Sequence, residues 1–195
     1  MFDNSWAEDE EFYKANEEAE DMVGAAERVK ANSAYSIIET AADVAADISW
    51  GGDSGDSQAV RDAETIYDGM VSIAQDVEDN GLNATIESQF VLFSPWESWR
   101  RYQTALAITQ NDVTVNVGSS SRALPNVTLL PTNRLSSSVK GVLCLPGRRS
   151  KWGNRKNLTV ESAPDIQKDG KVIIGTQRYN GACGNTNQLR LLAQS

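Results

Sequence analysis

The hydrophobic pattern of the first fifty residues predicts one long helix. Apolar side chains recur every three or four positions from Phe12 to Ile48, and the pattern continues to Trp50. Ser5 to Glu8 has the spacing of a capping box, and Asn32-Ser33 is a candidate break or kink. A helix from residue 8 to residue 47 would be about 60 Å long, whereas a compact chain of this size has a radius of gyration of about 16 Å. We therefore expect the helix to protrude and to need a neighbouring surface over its apolar stripe.

The next segment predicts a second, shorter amphipathic helix. Gly51 to Asp56 has the composition of a loop, and Ser57 can cap the helix that follows. The apolar stripe of this helix runs from Ala59 to Val77. Asn80-Gly81 then supplies a left-handed stop.

A buried strand and a third helix are predicted next. Gln89 to Phe93 is a short apolar run, which is typical of a buried strand. Ser94 to Glu97 then has the pattern of a helix start, with a serine cap, a proline in the first turn and a glutamate that reaches back. Trp96 and Trp99 lie on this helix, and we interpret both as core anchors.

From Asn111 onward the pattern changes to short strands. Val113 to Val117 alternates between apolar and polar residues, and Lys168 to Lys171 is a hairpin-turn signal. Further strand-like runs are Val127–Leu130, Val139–Leu145, Leu158–Val160, Val172–Ile174 and Leu189–Leu192. Helices followed by strands predict an α+β fold with a segregated helical front, in which helices pack on a mostly antiparallel sheet.

The composition indicates a globular protein that is not inserted in a membrane. Hydrophobic residues make up 40% of the chain, which is enough for a core and argues against wholesale disorder. No apolar run approaches the roughly 18 residues of a membrane helix. The acidic stretch from Met1 to Glu11 lacks the basic and apolar regions of a signal peptide, so we do not expect export by that route.

The residue counts exclude several kinds of chemistry. The absence of His removes the Ser-His-Asp and Cys-His machineries and His-ligated zinc, and two Cys are too few for a Cys-only zinc site. Without a secretion signal, Cys144 and Cys183 are expected to be reduced thiols. Asp53 to Asp56 lacks the ligand series of an EF-hand, and Gly118 to Arg122 lacks the ending of a P-loop. We therefore predict no metal and no cofactor.

The acidic residues are numerous but do not indicate catalysis. The chain has 27 Asp and Glu, so neighbouring carboxylates are unavoidable. Catalytic carboxylates need burial or a charged neighbour to shift the pKa, whereas clusters such as Glu8 to Glu11 belong to a solvated helix surface. We predict that the protein is not an enzyme.

Charge is distributed unevenly along the chain. The net charge is −9 in total, with −17 over residues 1–80 and +8 over residues 81–195. Two interpretations stay open: a solvated acidic helix face, or head-to-tail association of acidic and basic parts of neighbouring copies.

The densest basic segment lies between two predicted strands. Its cations and its aromatic residue are Arg148, Arg149, Lys151, Trp152, Arg155 and Lys156. The segment fits a contact surface for an acidic protein partner, an exposed loop, or a nucleic-acid contact with phosphate-neutralising charge and a stacking ring. The overall negative charge argues against a dedicated nucleic-acid binder.

The order of elements from Ser57 to Ser195 resembles that of tailed-phage major capsid proteins, whose shell fold encapsulins share. The residues TIESQFVLFSPWESWRRYQTALAI, from Thr85 to Ile108, resemble the family's passage from helix through buried strand and Pro-marked turn to the next helix. The long first helix resembles the family's spine helix. Pieces similar to the family's axial strands and closing strand pair are NVTLLP at Asn126–Pro131, GVLCLPG at Gly141–Gly147, and the stretch Val172–Leu192 with Gln177–Gly181 and Asn187–Leu191.

The resemblance implies a domain layout. Residues 1–50 would be the spine-like segment, residues 57–110 part of the peripheral domain, and residues 111–195 the axial strands and the returning strands. The family's N-terminal arm and extended two-stranded loop precede the spine helix, and we expect neither here because Met1 lies almost at that helix. No cross-linking Lys or Asn is matched.

The function that the resemblance implies is structural. The chain would be a major capsid subunit that forms a homo-oligomeric shell around viral DNA, with non-specific DNA contact and no membrane. Its place would be the virion, after assembly in the host cytoplasm. Three alternatives stay open: a tail or head-completion protein, a carboxylate-based hydrolase using acids such as Glu87 and Glu97, and a small nucleic-acid-associated protein.

Overall fold

The computed structural model describes residues 5–44, 48–49, 57–81, 88–111, 127–147, 150–165 and 170–193. The helices are α1 (Ser5–Val44), α2 (Gln58–Asp79) and α3 (Trp96–Asn111), and a 3-10 turn covers Thr186–Gln188. The strands are β1 (Ile48–Ser49), β2 (Phe90–Ser94), β3 (Val127–Pro131), β4 (Gly141–Cys144), β5 (Lys151–Asp165), β6 (Gly170–Ala182) and β7 (Leu189–Ala193). The predicted α+β fold is confirmed. None of the described helices is both long and apolar enough to cross a bilayer.

The chain divides into two compact units. One unit, here called the ribbon unit, contains residues 1–34 and 152–182, which include most of α1 together with β5 and β6. The other, here called the sheet unit, contains residues 35–151 and 183–195. The layout of spine, peripheral and axial segments given above stays a prediction.

A five-stranded sheet organises the sheet unit. Its strand order is β1-β7-β4-β2-β3, in which the β1–β7 and β2–β3 pairs are parallel and the other two pairs are antiparallel. Alternate residues of β2 are fully buried because successive side chains point to opposite faces of the sheet. Phe90 and Leu92 lie in the main core with Leu143, Leu192 and the apolar stripe of α2.

Local signals place the ends of α2 where the sequence predicts them. The side chain of Ser57 accepts a hydrogen bond from the backbone nitrogen of Val60 at 3.5 Å. Gly81 follows the helix with a φ of 72°, the left-handed conformation that glycine adopts without strain. The predicted helix and its buried stripe, which includes Ile66 and Met70, are confirmed.

The start of α3 differs from the prediction. Ser94 is the last residue of β2, and its buried Oγ has no hydrogen-bond partner among the described residues. The helix begins at Trp96, and the amide of Ser98 donates to the carbonyl of Pro95 at 3.1 Å. The predicted serine cap is wrong because the pairing of Ser94 with Pro131 in β3 holds it in the sheet.

The fully buried aromatic residue of α3 is Tyr102, whereas Trp96 and Trp99 were predicted to be its core anchors. Trp96 is 54% exposed and Trp99 is half-buried, so a core anchor at Trp96 is wrong. Tyr102 is fully buried, and its hydroxyl donates to the carbonyl of Lys140 at 2.8 Å. Burial raises the pKa of Tyr102 far above its usual range, so the group stays a neutral donor.

The first helix is continuous where a break was a candidate. The hydroxyl of Ser33 donates to the carbonyl of Val29 at 3.0 Å, which satisfies the serine inside the helix. The helix ends at Val44, and Ile48 instead forms a short parallel pair with Leu192. Extension of the helix to Trp50 is therefore wrong, because pairing with β7 replaces the local helical preference there.

Two ion pairs tie α2 to its neighbours in the sheet unit. The buried carboxylate of Asp62 accepts two hydrogen bonds from the guanidinium of Arg101 on α3. The fully buried Arg190 of β7 pairs with Asp76, and it also donates to the hydroxyl of Ser72 at 3.1 Å. A buried charge is tolerated only when it is paired and hydrogen-bonded, so these contacts fix the position of α2.

Several predicted features lie outside the described residues. They are the loop at Gly51–Asp56, the strand at Val113–Val117 and the tip of the Lys168–Lys171 turn.

A candidate subunit interface on the ribbon unit

Strands β5 and β6 form a two-stranded ribbon. The hydroxyls of Thr159 and Thr176 lie 3.0 Å apart, and a Cβ on Gly153 would lie 3.9 Å from the carbonyl oxygen of Asn180. The contacts move back along β5 as they move forward along β6, so the strands are antiparallel. Residues 166–169 separate the two strands in the chain.

Helix α1 lies along β6 and runs in the same direction. The side chain of Gln177 donates to the carbonyl of Ala26 at 3.0 Å, and the hydroxyls of Ser33 and Tyr179 lie 3.2 Å apart. Both contacts advance in the same sense along the two elements, by seven residues of helix and two residues of strand.

A glycine allows the close approach between helix and ribbon. A Cβ on Gly175 would lie 2.7 Å from the sulfur of Met22, closer than real side chains come. Beside this contact, Val29 and Leu158 help to line a groove of about 580 Å³.

The two faces of the ribbon differ in what they contact. Gln177 and Tyr179 point toward α1 and are half-buried, whereas Arg178 and Asn180 are exposed. Because side chains alternate along a strand, Arg178 and Asn180 lie on the face away from the helix. Thr159 shares this outer face with Thr176, and Arg155 follows by the same alternation.

The structure places four of the six candidate interface residues. Arg148 and Arg149 lie outside the described residues, while Lys151, Trp152, Arg155 and Lys156 are exposed positions of β5. The basic segment is therefore largely strand rather than loop. Lys151 falls in the sheet unit, and the other three fall in the ribbon unit.

The aromatic residue of the basic segment has a partner of its own. Trp152 stacks on Tyr179 with ring centroids 5.3 Å apart and planes 21° from parallel, and its indole nitrogen donates to Asn154 at 3.2 Å. Lys156 donates to the hydroxyl of Thr176 at 2.6 Å. Trp152 thus helps to hold the ribbon together. Its stacking partner, Tyr179, could not be identified from the sequence because the two residues are 27 positions apart.

The side chains of the ribbon unit whose exposure is described are exposed or half-buried. Val29 is 56% exposed, Ile174 is 50% exposed and Trp152 is 38% exposed, and Val23 and Val160 are also exposed. A two-stranded ribbon is marginal by itself in water, and exposed apolar side chains grouped on one unit indicate a surface for another molecule.

The structure locates both thiols and one of the two candidate acids named from the sequence. No cluster of three or more metal-ligating side chains occurs among the described residues. Cys144 and Cys183 are free thiols. Burial raises the pKa of Cys144 to about 12, with a smaller contribution from the nearby Cys183. Glu97 is exposed on the first turn of α3, and Glu87 lies outside the described residues.

Comparisons with known proteins identify similar structures. No protein-family model matches the sequence, and no curated protein matches it. A chain from the capsid structure of the cyanophage P-SCSP1u is similar over 92% of this chain and 65% of its own length, with a TM-score of 0.61 and 11% identity. A chain from the mature capsid of bacteriophage PhiM1 is similar over 86% and 61%, with a TM-score of 0.59 and 10% identity. A chain from the structure of Mycobacterium phage Che8 is similar over 90% and 62%, with a TM-score of 0.52 and 12% identity.

These similarities establish the fold. The chain has the fold of phage major capsid proteins, which confirms the resemblance stated from the sequence. It spans less than two thirds of the length of each of these three chains.

Proposed function

We propose that this chain is a structural virion protein, the major capsid subunit of a phage head. Many copies would tile a closed shell around viral DNA. The single observation that carries the proposal is a group of exposed apolar side chains on the ribbon unit of a chain with the fold of phage capsid proteins. Such a unit is stabilised when neighbouring copies cover Val29, Ile174 and the other exposed apolar side chains.

The function proposed here is geometric rather than catalytic. Among the described residues the buried ionisable groups are paired or neutral: Asp62 is paired with Arg101, Arg190 with Asp76, and Tyr102 is a neutral donor. These groups hold helices and strands in place. We propose a place in the virion after assembly in the host cytoplasm, with non-specific contact to packaged DNA.

The basic segment is proposed as part of the contact between subunits. Trp152, Arg155 and Lys156 are exposed on the ribbon unit, the unit that most needs a neighbour. Arg148, Arg149 and Lys151 precede them in the chain and are proposed to belong to the same contact. Complementary charge at such an interface sets register and encounter rate more than affinity.

Electron microscopy of the purified protein tests the function. Negative-stain images, with light scattering coupled to size-exclusion chromatography, are expected to show closed shells or curved sheets. Rings or short tubes alone would favour a tail or head-completion protein. A monodisperse small species at every concentration and salt, with or without DNA, would contradict the proposal.

A further inference from the structure

Four exposed acids of α1 lie on the side of the helix that faces away from the ribbon, while a fifth, Glu18, lies outside this group on the flank of the helix. With 3.6 residues per turn, Glu17, Glu20, Asp21 and Glu27 fall within a sector of about 120°. All four are exposed. The helix residues that contact the ribbon, such as Met22, Ala26 and Ser33, lie roughly 180° from the centre of this sector. The outer side of α1 is therefore an acidic face. Arg28 is the one cation between residues 17 and 28.

The opposite side of the ribbon unit is cationic. Arg155 of β5 and Arg178 of β6 are exposed on the ribbon face that points away from α1, beside the amides of Asn157 and Asn180. The same alternation puts the exposed Glu161 at the far end of this face, two residues beyond Thr159. Among the described residues neither arginine forms an ion pair. This cationic face and the acidic face lie on opposite sides of one unit.

Among the described residues no ion pair joins α1 to the arginines of the cationic face, although Arg178 also lines the groove beside Val29. The neighbours of Arg178 in β6, Gln177 and Tyr179, are the residues that bond to α1, so Arg178 points the other way. The ion pair that the structure gives on this part of α1 joins Glu27 to Lys30 at 3.5 Å, within the helix itself. On the acidic face Glu27 is thus paired within the helix, whereas Arg155 and Arg178 of the cationic face are open to acids of a neighbouring copy.

The acidic face is also open to a close neighbour. Gly24 lies near the centre of its sector, and no atom lies within 4 Å of where its Cβ would be. The absence of a side chain there lets another backbone or side chain approach the helix between its acids.

We propose that the acidic face of α1 in one copy binds the cationic outer face of the β5–β6 ribbon in a second copy. This inference rests on the proposed shell function and names the surfaces through which the copies meet. A second copy is favoured over nucleic acid because the same chain carries both complementary faces. Its net charge of −9 also opposes the approach of a polyanion.

The arrangement predicts a head-to-tail contact. The two faces are different surfaces of the chain, so each copy uses one face for the neighbour before it and the other for the neighbour after it. Such heterologous contacts generate closed rings or extended lattices rather than isolated dimers.

A charge-reversal mixing experiment tests the contact between copies. Variant A carries Arg155→Glu and Arg178→Glu, so that both of its faces are acidic. Variant B carries Glu20→Lys and Asp21→Lys, so that its helix face becomes cationic while its ribbon face stays cationic. The matched control carries Glu78→Lys and Asp79→Lys at the exposed end of α2, with the same change of net charge as variant B. Assembly is followed by light scattering, and circular dichroism checks folding.

Variants A and B are each expected to assemble at least tenfold more slowly than the unaltered chain, while the control assembles normally. An equimolar mixture of A and B is expected to recover most of the rate, because the ribbon of A attracts the helix of B and the ribbon of B still attracts the helix of A. Recovery by mixing requires a contact between copies. Screening predicts that the defect shrinks as salt rises above physiological strength.

Three results would overturn the inference. Normal assembly of A and of B would show that the faces are not used. A mixture as slow as its components would show that the faces do not meet. Assembly that needs added duplex DNA, and that only variant A loses, would identify nucleic acid as the partner of the cationic face. If these results come from a chain that still forms shells, the proposed function stands; if the unaltered chain forms no assembly at all, that function fails.

Discussion

The hydroxyl of Tyr102 in α3 donates a hydrogen bond to the carbonyl of Lys140, the residue before β4, while its ring is fully buried. A Cβ on Gly141 would lie 2.8 Å from the same hydroxyl oxygen, so tyrosine and glycine fit together at this point. The contact joins the last long helix of the sheet unit to the strand in the middle of its sheet. Tyr102 is therefore an aromatic anchor of this core, together with Phe90.

Truncation of Tyr102 is expected to be more damaging than truncation of the larger Trp99. Tyr102→Ala should lower the free energy of unfolding by roughly 3–5 kcal/mol because it leaves a cavity among fully buried side chains. Tyr102→Phe should cost about 1 kcal/mol because it removes only the hydrogen bond. Denaturant unfolding measures all three variants, and a loss for Trp99→Ala equal to that for Tyr102→Ala would contradict this view of the core.

Replacement of Ser94 by alanine is expected not to destabilise the protein, whereas the same replacement at a helix cap would. Its Oγ is buried at the end of β2 without a described partner, and a buried hydroxyl without a hydrogen bond costs free energy. Ser94→Ala should therefore leave the stability unchanged or raise it slightly. A true cap would lose about 1 kcal/mol on the same change. Ser57→Ala, which removes the cap of α2, is the matched control and should show that loss in the same thermal melts.

Cys144 is expected to be unreactive toward thiol reagents near neutral pH. Burial and the neighbouring Cys183 raise the pKa of Cys144 to about 12, and the thiolate is the reactive form. At pH 8 only about one thiol in ten thousand would be ionised in the folded protein, and the labelling rate should rise with pH up to that pKa. Peptide mass spectrometry after timed labelling measures the rate, and denaturant provides the control in which Cys144 becomes fully reactive. Rapid labelling of Cys144 in the folded protein at pH 7 would refute this prediction.

Local signals in the sequence predicted the elements whose ends depend on nearby residues. Ser57 and Gly81 act within one turn of α2, so a single sequence suffices to place that helix. Ile48 could not be placed in the same way, because its strand exists only through pairing with Leu192 at the other end of the chain. Ser94 was misassigned for a similar reason, since its partner in the sheet, Pro131, lies 37 positions later.

The sequence predicted the basic segment as a candidate interface, but it did not predict the acidic face of α1 or the cationic outer face of the ribbon. Arg155 was found from the density of cations, whereas Arg178 has no basic neighbour in sequence and joins it only through strand pairing. The charge difference between the halves of the chain was visible in the sequence. That the acids of α1 lie on the far side from the ribbon follows only from the contacts of Ala26 and Ser33.

Substitutions of Gly24 can distinguish an effect on the stability of α1 from an effect on its proposed contact with another copy. Because no atom lies within 4 Å of its Cβ position, substitution there meets no steric conflict within the subunit. Gly24→Ala and Gly24→Gln should each stabilise the helix by up to about 1 kcal/mol, since both residues are better helix formers than glycine. Alanine adds one methyl group, whereas glutamine projects a long polar side chain from the middle of the acidic face. We therefore expect Gly24→Ala to assemble normally and Gly24→Gln to assemble several-fold more slowly. Circular dichroism melts and light scattering of the same samples measure the two effects. Equal assembly rates for the two variants would mean that no neighbour comes close to α1 at this position.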